Sequence, residues 1–145
     1  MQVRIRMATA EDAEVLAKLE RDCFLASWSE ETILATLSRR DFVGAIVECE
    51  NQAVGYVIGL SLFENAEILR IAVSPQKRRL GFGAWALDFF LAQVKARGAE
   101  QVFLEVRISN ESAISLYTSR GFEQLREREN YYENGETAVE MRKIL

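Results

Sequence analysis

The stretch SPQKRRLGFGAW, Ser74–Trp85, joins two segments of different hydrophobic periodicity and decides how the chain folds. The apolar segment before it, AEILRIAVS, is typical of a buried strand that ends at Pro75. The residues after it form the longest predicted helix, from Gly81 to Arg97, with Gly98 as its stop signal. A strand, a turn and a long helix in this order, followed by another strand, predict a right-handed parallel crossover.

The composition of this turn predicts an anion-binding site. Three cations stand before two closely spaced glycines, in a chain whose net charge is -4: Lys77, Arg78, Arg79, Gly81 and Gly83. The first turn of a helix leaves N–H groups without partners and carries roughly half a positive charge, and glycine lets a ligand approach the backbone. A phosphate or pyrophosphate is expected here, although a solvated cationic turn with glycines for tight packing explains the same pattern.

Two common phosphate motifs do not match the turn. A P-loop requires Gly-Lys-Ser/Thr, which is absent. A dinucleotide fingerprint requires a third glycine where the chain has Ala86, and it belongs on a first strand, whereas this turn lies late in the chain. A different phosphate-binding pattern is needed.

Strand and helix patterns alternate along the rest of the chain. Strands are predicted in QVRIRMA, in the hairpin FVGAIVECENQAVGYVIGLSLF, in QVFLEV, and in FEQLRERENYY and TAVEMRKI. Helices are predicted from the Thr9 cap to Cys23, from the Ser29 cap onward, and between the Asn110 cap and Gly121. The order β-α-α-β-β-β-α-β-α-β-β predicts an α+β fold, with helices on both faces of one mixed sheet.

Length and composition fit a single domain over residues 1–145, of which 49% are hydrophobic. No apolar run approaches the roughly 18 residues of a membrane helix, and the N-terminal residues lack the apolar stretch of a secretory signal. We therefore expect a cytoplasmic protein that does not bind a membrane. The acidic balance argues against nucleic-acid binding but allows a basic peptide as a partner.

The chain contains no histidine, which excludes His-based triads, His-containing metal sites and His general bases. Cys23 and Cys49 lack metal-ligand spacing, so we expect no metal and a buried, reduced pair of thiols. Acid–base chemistry must therefore use carboxylates, tyrosine, lysine, cysteine or water.

The run Arg78-Arg79-Leu80-Gly81-Phe82-Gly83 resembles the acetyl-CoA-binding signature of the GNAT acetyltransferase superfamily: Arg or Gln, two residues, Gly, any residue, then Gly or Ala. The segment LEVRISNESAISLYTSRGF, Leu104–Phe122, resembles the second cofactor motif of that family, and the order of elements resembles its fold. The resemblance implies a mixed, mostly antiparallel sheet of about seven strands with helices on both faces. It also implies acetyl-CoA as co-substrate and no metal.

Within this superfamily, three stretches resemble the RimI-type ribosomal-protein-alanine N-acetyltransferases: ILRIAVSPQKRRLGFG, LEVRISNESAISLY and NYYENGETAVEM. The resemblance implies acetylation of the N-terminal alanine of a small-subunit ribosomal protein, whose N-terminal segment is the expected partner. Two positions near the peptide-binding side depart from the family pattern. Ser27 replaces the usual Pro before Trp28, and Thr137 replaces the usual Asp before Ala138, so the exact peptide stays open.

The resemblance also implies which residues bind acetyl-CoA. The backbone of Ile71, Ala72 and Val73 is expected to pair with the pantetheine arm as a further strand would. The pyrophosphate is expected against the turn and the start of the long helix: Arg78, Arg79, Leu80, Gly81, Phe82, Gly83 and Ala84. Asn110 is expected to contact the cofactor, although helix capping alone explains it.

Glu105 and Tyr117 are the catalytic residues that the resemblance implies. Glu105, a lone charge in the apolar run VFLEV, is expected to take a proton from the acceptor amine, directly or through water. Tyr117 is expected to protonate the leaving CoA thiolate, whose acid has a pKa of about 8.5. The alternatives are a Glu105 that pairs with Arg107 or another cation, and a Tyr117 that serves only the core.

Trp28, Tyr131 and Tyr132 are expected to line the peptide groove, although packing explains the tyrosine pair equally well. Two other functions fit the sequence. The first is a GNAT enzyme with another amine acceptor, such as other protein N-termini, a lysine, a polyamine or an antibiotic. The second is a module that binds acetyl-CoA without turnover, or a subunit that needs a partner for activity. The sequence does not indicate an oligomeric state.

Overall fold

The computed structural model describes residues 1–145, which form one seven-stranded sheet and four α-helices. In chain order the elements are β1 Val3–Met7, α1 Ala13–Cys23, α2 Glu30–Leu37, β2 Phe42–Cys49, β3 Gln52–Leu62, β4 Asn65–Val73, α3 Phe82–Ala96, β5 Gln101–Arg107, α4 Glu111–Ser119, β6 Glu123–Arg128 and β7 Ala138–Ile144. Short 3-10 turns, Ala10–Asp12 and Pro75–Lys77, precede α1 and α3. The predicted order of elements is confirmed.

The strands lie in the order β1-β2-β3-β4-β5-β7-β6, and every neighbouring pair is antiparallel except β4 and β5. Tight turns join β2 to β3 and β3 to β4, and such turns reverse the chain. A parallel pair needs a longer connection, which α3 supplies between β4 and β5. The mixed, mostly antiparallel sheet and its parallel crossover are therefore confirmed.

Two hydrophobic cores cover the two faces of this sheet. On one face α3 buries Phe82, Leu87 and Phe90 against the strands. On the other face α1 and α2 bury Leu16 and Ile33. Each of these side chains contributes about 1.5–3 kcal/mol when it is fully buried. The helices therefore lie on both faces, as the sequence predicts.

α1 begins later than the Thr9 cap predicts, because a 3-10 turn comes between them. Asp12 is the last residue of that turn, and it is buried. It accepts a hydrogen bond from the Thr9 N–H at 2.8 Å, and two from the Arg6 guanidinium at 2.8 and 3.0 Å. A buried, paired carboxylate thus fixes the N-terminal end of α1.

The predicted strand FEQLRERENYY is wrong at its C-terminal end. β6 ends at Arg128, and Tyr131 and Tyr132 lie in the loop that leads to β7. Asn130 has a φ of +53°, a left-handed conformation that a strand does not allow. The two tyrosines therefore belong to a loop and do not form the end of a strand.

Both cysteines are free thiols. Cys49 is buried, as predicted, whereas Cys23 at the end of α1 is only partly buried. Nowhere do three or more Cys, Asp or Glu side chains come together as a metal site would require. None of the helices combines the length and the apolar character needed to cross a membrane.

Candidate active site

β4 and β5 pair over only part of their length. Parallel pairing covers four residues of each strand and ends at Ile68 and Leu104. The register between β3 and β4 skips Leu69, which marks a β-bulge at the point where β4 and β5 separate. A gap therefore opens between the C-terminal halves of these two strands. We call it the β4–β5 gap.

The C-terminal half of β4 has a neighbouring strand on one side only. Ile71, Ala72 and Val73 pair with β3, and the next residue, Ser74, donates its N–H to the Val54 carbonyl on that side at 2.7 Å. Because peptide groups alternate in direction along a strand, those of Ile71 and Val73 point into the β4–β5 gap. These groups are suited to pairing with an extended ligand.

Two side chains of the protein reach the Val73 carbonyl at this edge. Arg78 Nε donates to it at 3.0 Å, and Cys23 Sγ donates at 3.5 Å. Burial raises the pKa of the Cys23 thiol, while Arg78 opposes this shift. Arg78, which is predicted at the pyrophosphate, thus contacts the edge of β4 in this structure.

The turn before α3 presents backbone amides to solvent. Gly81 is the N-cap residue of α3 and has a φ of +85°, a conformation that favours glycine, and no side chain caps this helix. A Cβ atom at Gly81 would meet nothing within 4 Å, so the space in front of the helix is open. Arg79 beside it is exposed. Uncapped N–H groups, the helix dipole and a nearby cation together suit a pyrophosphate.

The other residues predicted at the pyrophosphate differ in exposure. Leu80 is exposed, and Gly83 and Ala84 are partly buried. The Phe82 side chain belongs to the core under α3, so only its backbone is available to a ligand. Asn110 Oδ1 accepts a hydrogen bond from the Ala113 N–H at 3.2 Å, which shows its capping role at the start of α4.

Glu105 and Tyr117 lie on opposite faces of the sheet. Leu104 and Val106, the neighbours of Glu105 on β5, point into the core under α3, so Glu105 points to the face that α1 and α2 occupy. Tyr117 on α4 packs in the core under α3 and is only 4% exposed. One titratable side chain therefore stands on each side of the sheet.

Glu105 is exposed and forms no ion pair, because Arg107 pairs with Glu136 at 3.2 Å instead. The alternative in which Arg107 neutralises Glu105 is therefore wrong. The neighbouring Glu105 carboxylate favours the protonated Tyr131 hydroxyl and so raises the pKa of Tyr131. Desolvation and, to a smaller extent, the charge of Glu105 also raise the pKa of Glu67.

Tyr117 is a core residue that carries a titratable hydroxyl. Its ring packs edge-to-face against Phe122, with 5.6 Å between the centroids. Burial, with a smaller contribution from Tyr132, raises the pKa of Tyr117 far above that of a free tyrosine. The Tyr117 hydroxyl therefore stays protonated at neutral pH.

The loop between β6 and β7 brings two tyrosines to Glu105. The rings of Tyr131 and Tyr132 pack edge-to-face at 5.1 Å, and the Arg107 guanidinium lies 4.0 Å from the Tyr132 centroid. Glu136 holds the loop by accepting a hydrogen bond from the Ser109 N–H at 2.9 Å. Tyr131 remains 46% exposed, so the pair packs together and still faces solvent.

Trp28 lies in the segment between α1 and α2, next to Arg70 at the β4 bulge. The Arg70 guanidinium is 5.0 Å from the Trp28 centroid, and the Trp28 N–H donates to Glu20 at 2.7 Å. Sequence reasoning missed Glu20 and Arg70. A signal was present, because Glu20 follows Leu16 by four residues on the apolar stripe of α1, where a charge is unexpected.

Known proteins resemble the chain over nearly its whole length. A [ribosomal protein bS18]-alanine N-acetyltransferase of Haemophilus influenzae is 34% identical, over 83% of this chain and 82% of its own. An N-alpha-acetyltransferase of Sulfurisphaera tokodaii is 31% identical, over 97% of this chain and 92% of its own. The crystal structure of the ribosomal-protein-S18-alanine N-acetyltransferase from Escherichia coli superposes with a TM-score of 0.93 at 27% identity, covering 99% of this chain and 94% of that one.

The pattern that describes the "Acetyltransferase (GNAT) family" matches residues 13–122, which is more than half of the chain. This range contains the β4–β5 gap, the turn before α3, Glu105 and Tyr117. It agrees with the resemblance that the turn and the Leu104–Phe122 segment indicate. The chain therefore belongs to the GNAT family of acetyltransferases.

Proposed function

We propose that this N-acetyltransferase moves the acetyl group of acetyl-CoA to the α-amine of a protein N-terminus, with the N-terminal alanine of a small-subunit ribosomal protein as its acceptor. The observation that carries the proposal is the unpaired edge of β4, with Glu105 on one face of the sheet and Tyr117 on the other. The relatives named for alanine acetylation support this acceptor, and the Sulfurisphaera relative supports an α-amine more generally.

The β4–β5 gap suits acetyl-CoA, which GNAT acetyltransferases use as acetyl donor. Ile71 and Val73 offer peptide groups to the pantetheine arm, and the start of α3 offers uncapped N–H groups to the diphosphate. Bound acetyl-CoA supplies an acetyl group activated as a thioester. Arg78 would leave the Val73 carbonyl when the pantetheine arm pairs with that group.

Glu105 is the proposed base. The acceptor nitrogen attacks as a neutral amine, and the pKa of an α-amine, about 7.7–8.0, lies well below the value of about 10.4 for lysine. Little base strength is therefore needed at an N-terminus. Because Glu105 has no cationic partner, its carboxylate is free to accept the proton, directly or through a water molecule.

Tyr117 is the proposed donor to the leaving sulfur. As the carbon–nitrogen bond forms and the carbon–sulfur bond breaks, Glu105 holds the amine proton and Tyr117 faces the developing thiolate. The Tyr117 pKa lies above that of a thiol, about 8.5, so complete proton transfer is uphill. The larger contribution is therefore a hydrogen bond to the thiolate, and solvent restores any proton that Tyr117 gives up.

Peptide acetylation tests this function. The protein and acetyl-CoA are incubated with ribosomal-protein N-terminal peptides that differ only in a first residue of Ala, Ser or Met. A fourth peptide starts with Ala but has a blocked α-amine and an internal lysine. Mass spectrometry should find acetyl on the α-amine of the Ala peptide and none on the blocked peptide.

The other outcomes separate the alternatives. Modification of lysine alone would contradict the acceptor and leave the acetyltransferase activity standing. Equal rates on all three free N-termini would indicate a broad N-terminal acetyltransferase. Binding of acetyl-CoA without acetylation of any peptide or polyamine would indicate a module without turnover, or a subunit that needs a partner.

A further inference from the structure

A fully buried carboxylate lies under the segment that carries Trp28. Glu20, near the C-terminal end of α1, is 0% exposed. It accepts a hydrogen bond from the Tyr56 hydroxyl on β3, one from the Trp28 N–H at 2.7 Å, and one from Arg70 Nη2 at 3.1 Å. Its partners thus come from β3, from β4 and from the segment between α1 and α2.

Arg70 connects this carboxylate to the edge of the β4–β5 gap. It lies at the β4 bulge and directly precedes Ile71, whose peptide group points into the gap. Its Nη2 also donates to the Ala26 carbonyl at 2.9 Å, and its guanidinium lies 4.2 Å from the Phe24 centroid. Arg70 therefore contacts the segment between α1 and α2 at several points.

The segment from Phe24 to Ser29 has no regular secondary structure of its own to hold it. Leu25 at its tip is fully exposed, so little apolar packing fixes that part of the segment. A buried ion pair is costly to desolvate, by several kcal/mol per ion, and is therefore weak evidence for a role in stability alone. Here both members of the pair bind the backbone of one segment. Glu20 accepts a hydrogen bond from the Trp28 backbone N–H, and Arg70 donates one to the Ala26 carbonyl.

We propose that Glu20, Tyr56 and Arg70 are positioning residues that hold Phe24–Trp28 at a fixed distance from the β4–β5 gap, and that they thereby set the affinity for the acceptor peptide. This inference rests on the proposed function, because it takes the segment as a wall of the peptide groove. The proposed acetyl-CoA contacts are the peptide groups of Ile71 and Val73 and the start of α3. The side chains of Glu20, Tyr56 and Arg70 form no hydrogen bond with these groups, so acetyl-CoA binding should not depend on them.

The opposite end of α1 supplies a matched control. Asp12 is also a buried carboxylate, pairs with a strand arginine, Arg6, and accepts a backbone N–H from Thr9. It resembles Glu20 in burial and bonding, but it holds the start of α1 and not the Phe24–Trp28 segment. Asp12→Asn should therefore lower stability without changing the use of peptide.

The kinetic experiment compares Glu20→Gln, Tyr56→Phe, Arg70→Gln, Arg70→Lys and Asp12→Asn with wild type at a temperature where all are folded. We expect Arg70→Gln and Glu20→Gln to raise the peptide KM about 10- to 100-fold, which corresponds to loss of a charged hydrogen bond, with kcat and the acetyl-CoA KM within about threefold. Arg70→Lys, which keeps the cation, should lie between wild type and Arg70→Gln.

Three kinetic results would overturn the inference. The first is an unchanged peptide KM in a folded Arg70→Gln variant. The second is an equal rise in the acetyl-CoA KM, and the third is the same change in Asp12→Asn, since the carboxylate clusters would then support the fold as a whole. None of these results would affect acetylation by wild type, on which the proposed function depends.

A fluorescence measurement tests the position of the segment without any turnover. In a Trp85→Phe background, Trp28 is the sole tryptophan. Release of the segment by Arg70→Gln should increase acrylamide quenching of Trp28 about twofold or more, whereas Asp12→Asn should leave it unchanged. Equal quenching in all variants would contradict the positioning role, even if wild type acetylates no peptide and the proposed function fails.

Discussion

The N-terminal half of β4 pairs with β5, whereas its C-terminal half does not. Up to Ile68 the strands bond to each other, and Ile68 and Leu104 are buried in the core under α3. Beyond that point the strands separate, and the peptide groups of Ile71 and Val73 point into the β4–β5 gap. Under the proposed function, the paired half contributes to stability and the separated half to ligand binding. Substitutions in the two halves should therefore change different measured quantities.

The largest expected effect lies at Glu105, the first β5 residue beyond the pairing with β4. Glu105→Gln keeps the shape of the side chain but removes its ability to accept a proton. We expect kcat/KM for an alanine peptide to fall about 100- to 10,000-fold, the usual contribution of a general base. Steady-state kinetics measure this, with Glu123→Gln on the outer strand β6 as a control. A loss of less than about threefold would rule out Glu105 as the base.

Tyr117→Phe should have the next largest effect. Phenylalanine keeps the packing against Phe122, so we expect kcat to fall about 10- to 100-fold while both KM values and the thermal midpoint change little. Because burial raises the Tyr117 pKa, Tyr117 should keep its proton as pH rises through about 10, the pKa of a free tyrosine. Its deprotonation should therefore not lower the wild-type kcat in that range. A Tyr117→Phe variant with wild-type kcat would show that Tyr117 serves only to pack the core.

Gly59 tests the paired half. Gly59 lies on β3, and a Cβ atom there would overlap the Glu67 carbonyl on β4 and the Phe90 ring on α3. Gly59→Ala therefore forces β4 and α3 away from β3. We expect the free energy of unfolding, measured in urea, to fall by about 2–3 kcal/mol, with kcat per folded molecule unchanged.

Gly81→Ala is the matched control for that substitution. There the added Cβ has open space, so its cost is limited to the left-handed backbone, about 1–2 kcal/mol, and its main effect should be a higher acetyl-CoA KM. The opposite result, a higher acetyl-CoA KM in Gly59→Ala and the larger loss of stability in Gly81→Ala, would contradict the assignment of stability to the packing around the paired half of β4 and of ligand binding to the turn before α3.

The sequence predicted the elements well because their signals are local. Periodicity, Pro75 and Gly98 indicated β4, the turn and α3, and they led to the parallel crossover. The bulge at Leu69 left no such mark, because EILRIAV is an uninterrupted, largely apolar run. The separation of β4 from β5 depends on how whole strands twist and pair, which one strand sequence does not record.

Sequence motifs predict which residues belong to the candidate site, but they do not predict the contacts of those residues. Glu105 and Tyr117 were named without knowledge that they face opposite sides of the sheet. The contact of Arg78 with the Val73 carbonyl depends on how the loop folds back, and sequence spacing does not specify it. The predicted strand extends through Tyr131, whereas β6 ends at Arg128, before the left-handed residue Asn130.

The smallest expected effect lies at the boundary between the two halves. Glu67 pairs with Phe103 on β5, so it shares a face of the sheet with Glu105 two residues further on. Desolvation, and then Glu105, raise the pKa of Glu67, so the folded protein holds this proton more tightly than the unfolded chain does. Stability should therefore fall as pH rises from the ordinary glutamate value, about 4.3, through the raised one.

Glu67→Gln should remove this pH slope, and Glu105→Gln should reduce it, because it removes one of the two causes. The effect is small, since Glu67 is exposed and water screens its charge. Urea midpoints between about pH 4 and pH 8 measure it, with Glu123→Gln as a control that keeps the wild-type slope. An unchanged slope in Glu67→Gln would mean that Glu67 is not its source. An unchanged slope in Glu105→Gln would mean that the two carboxylates do not interact across the point where β4 and β5 separate.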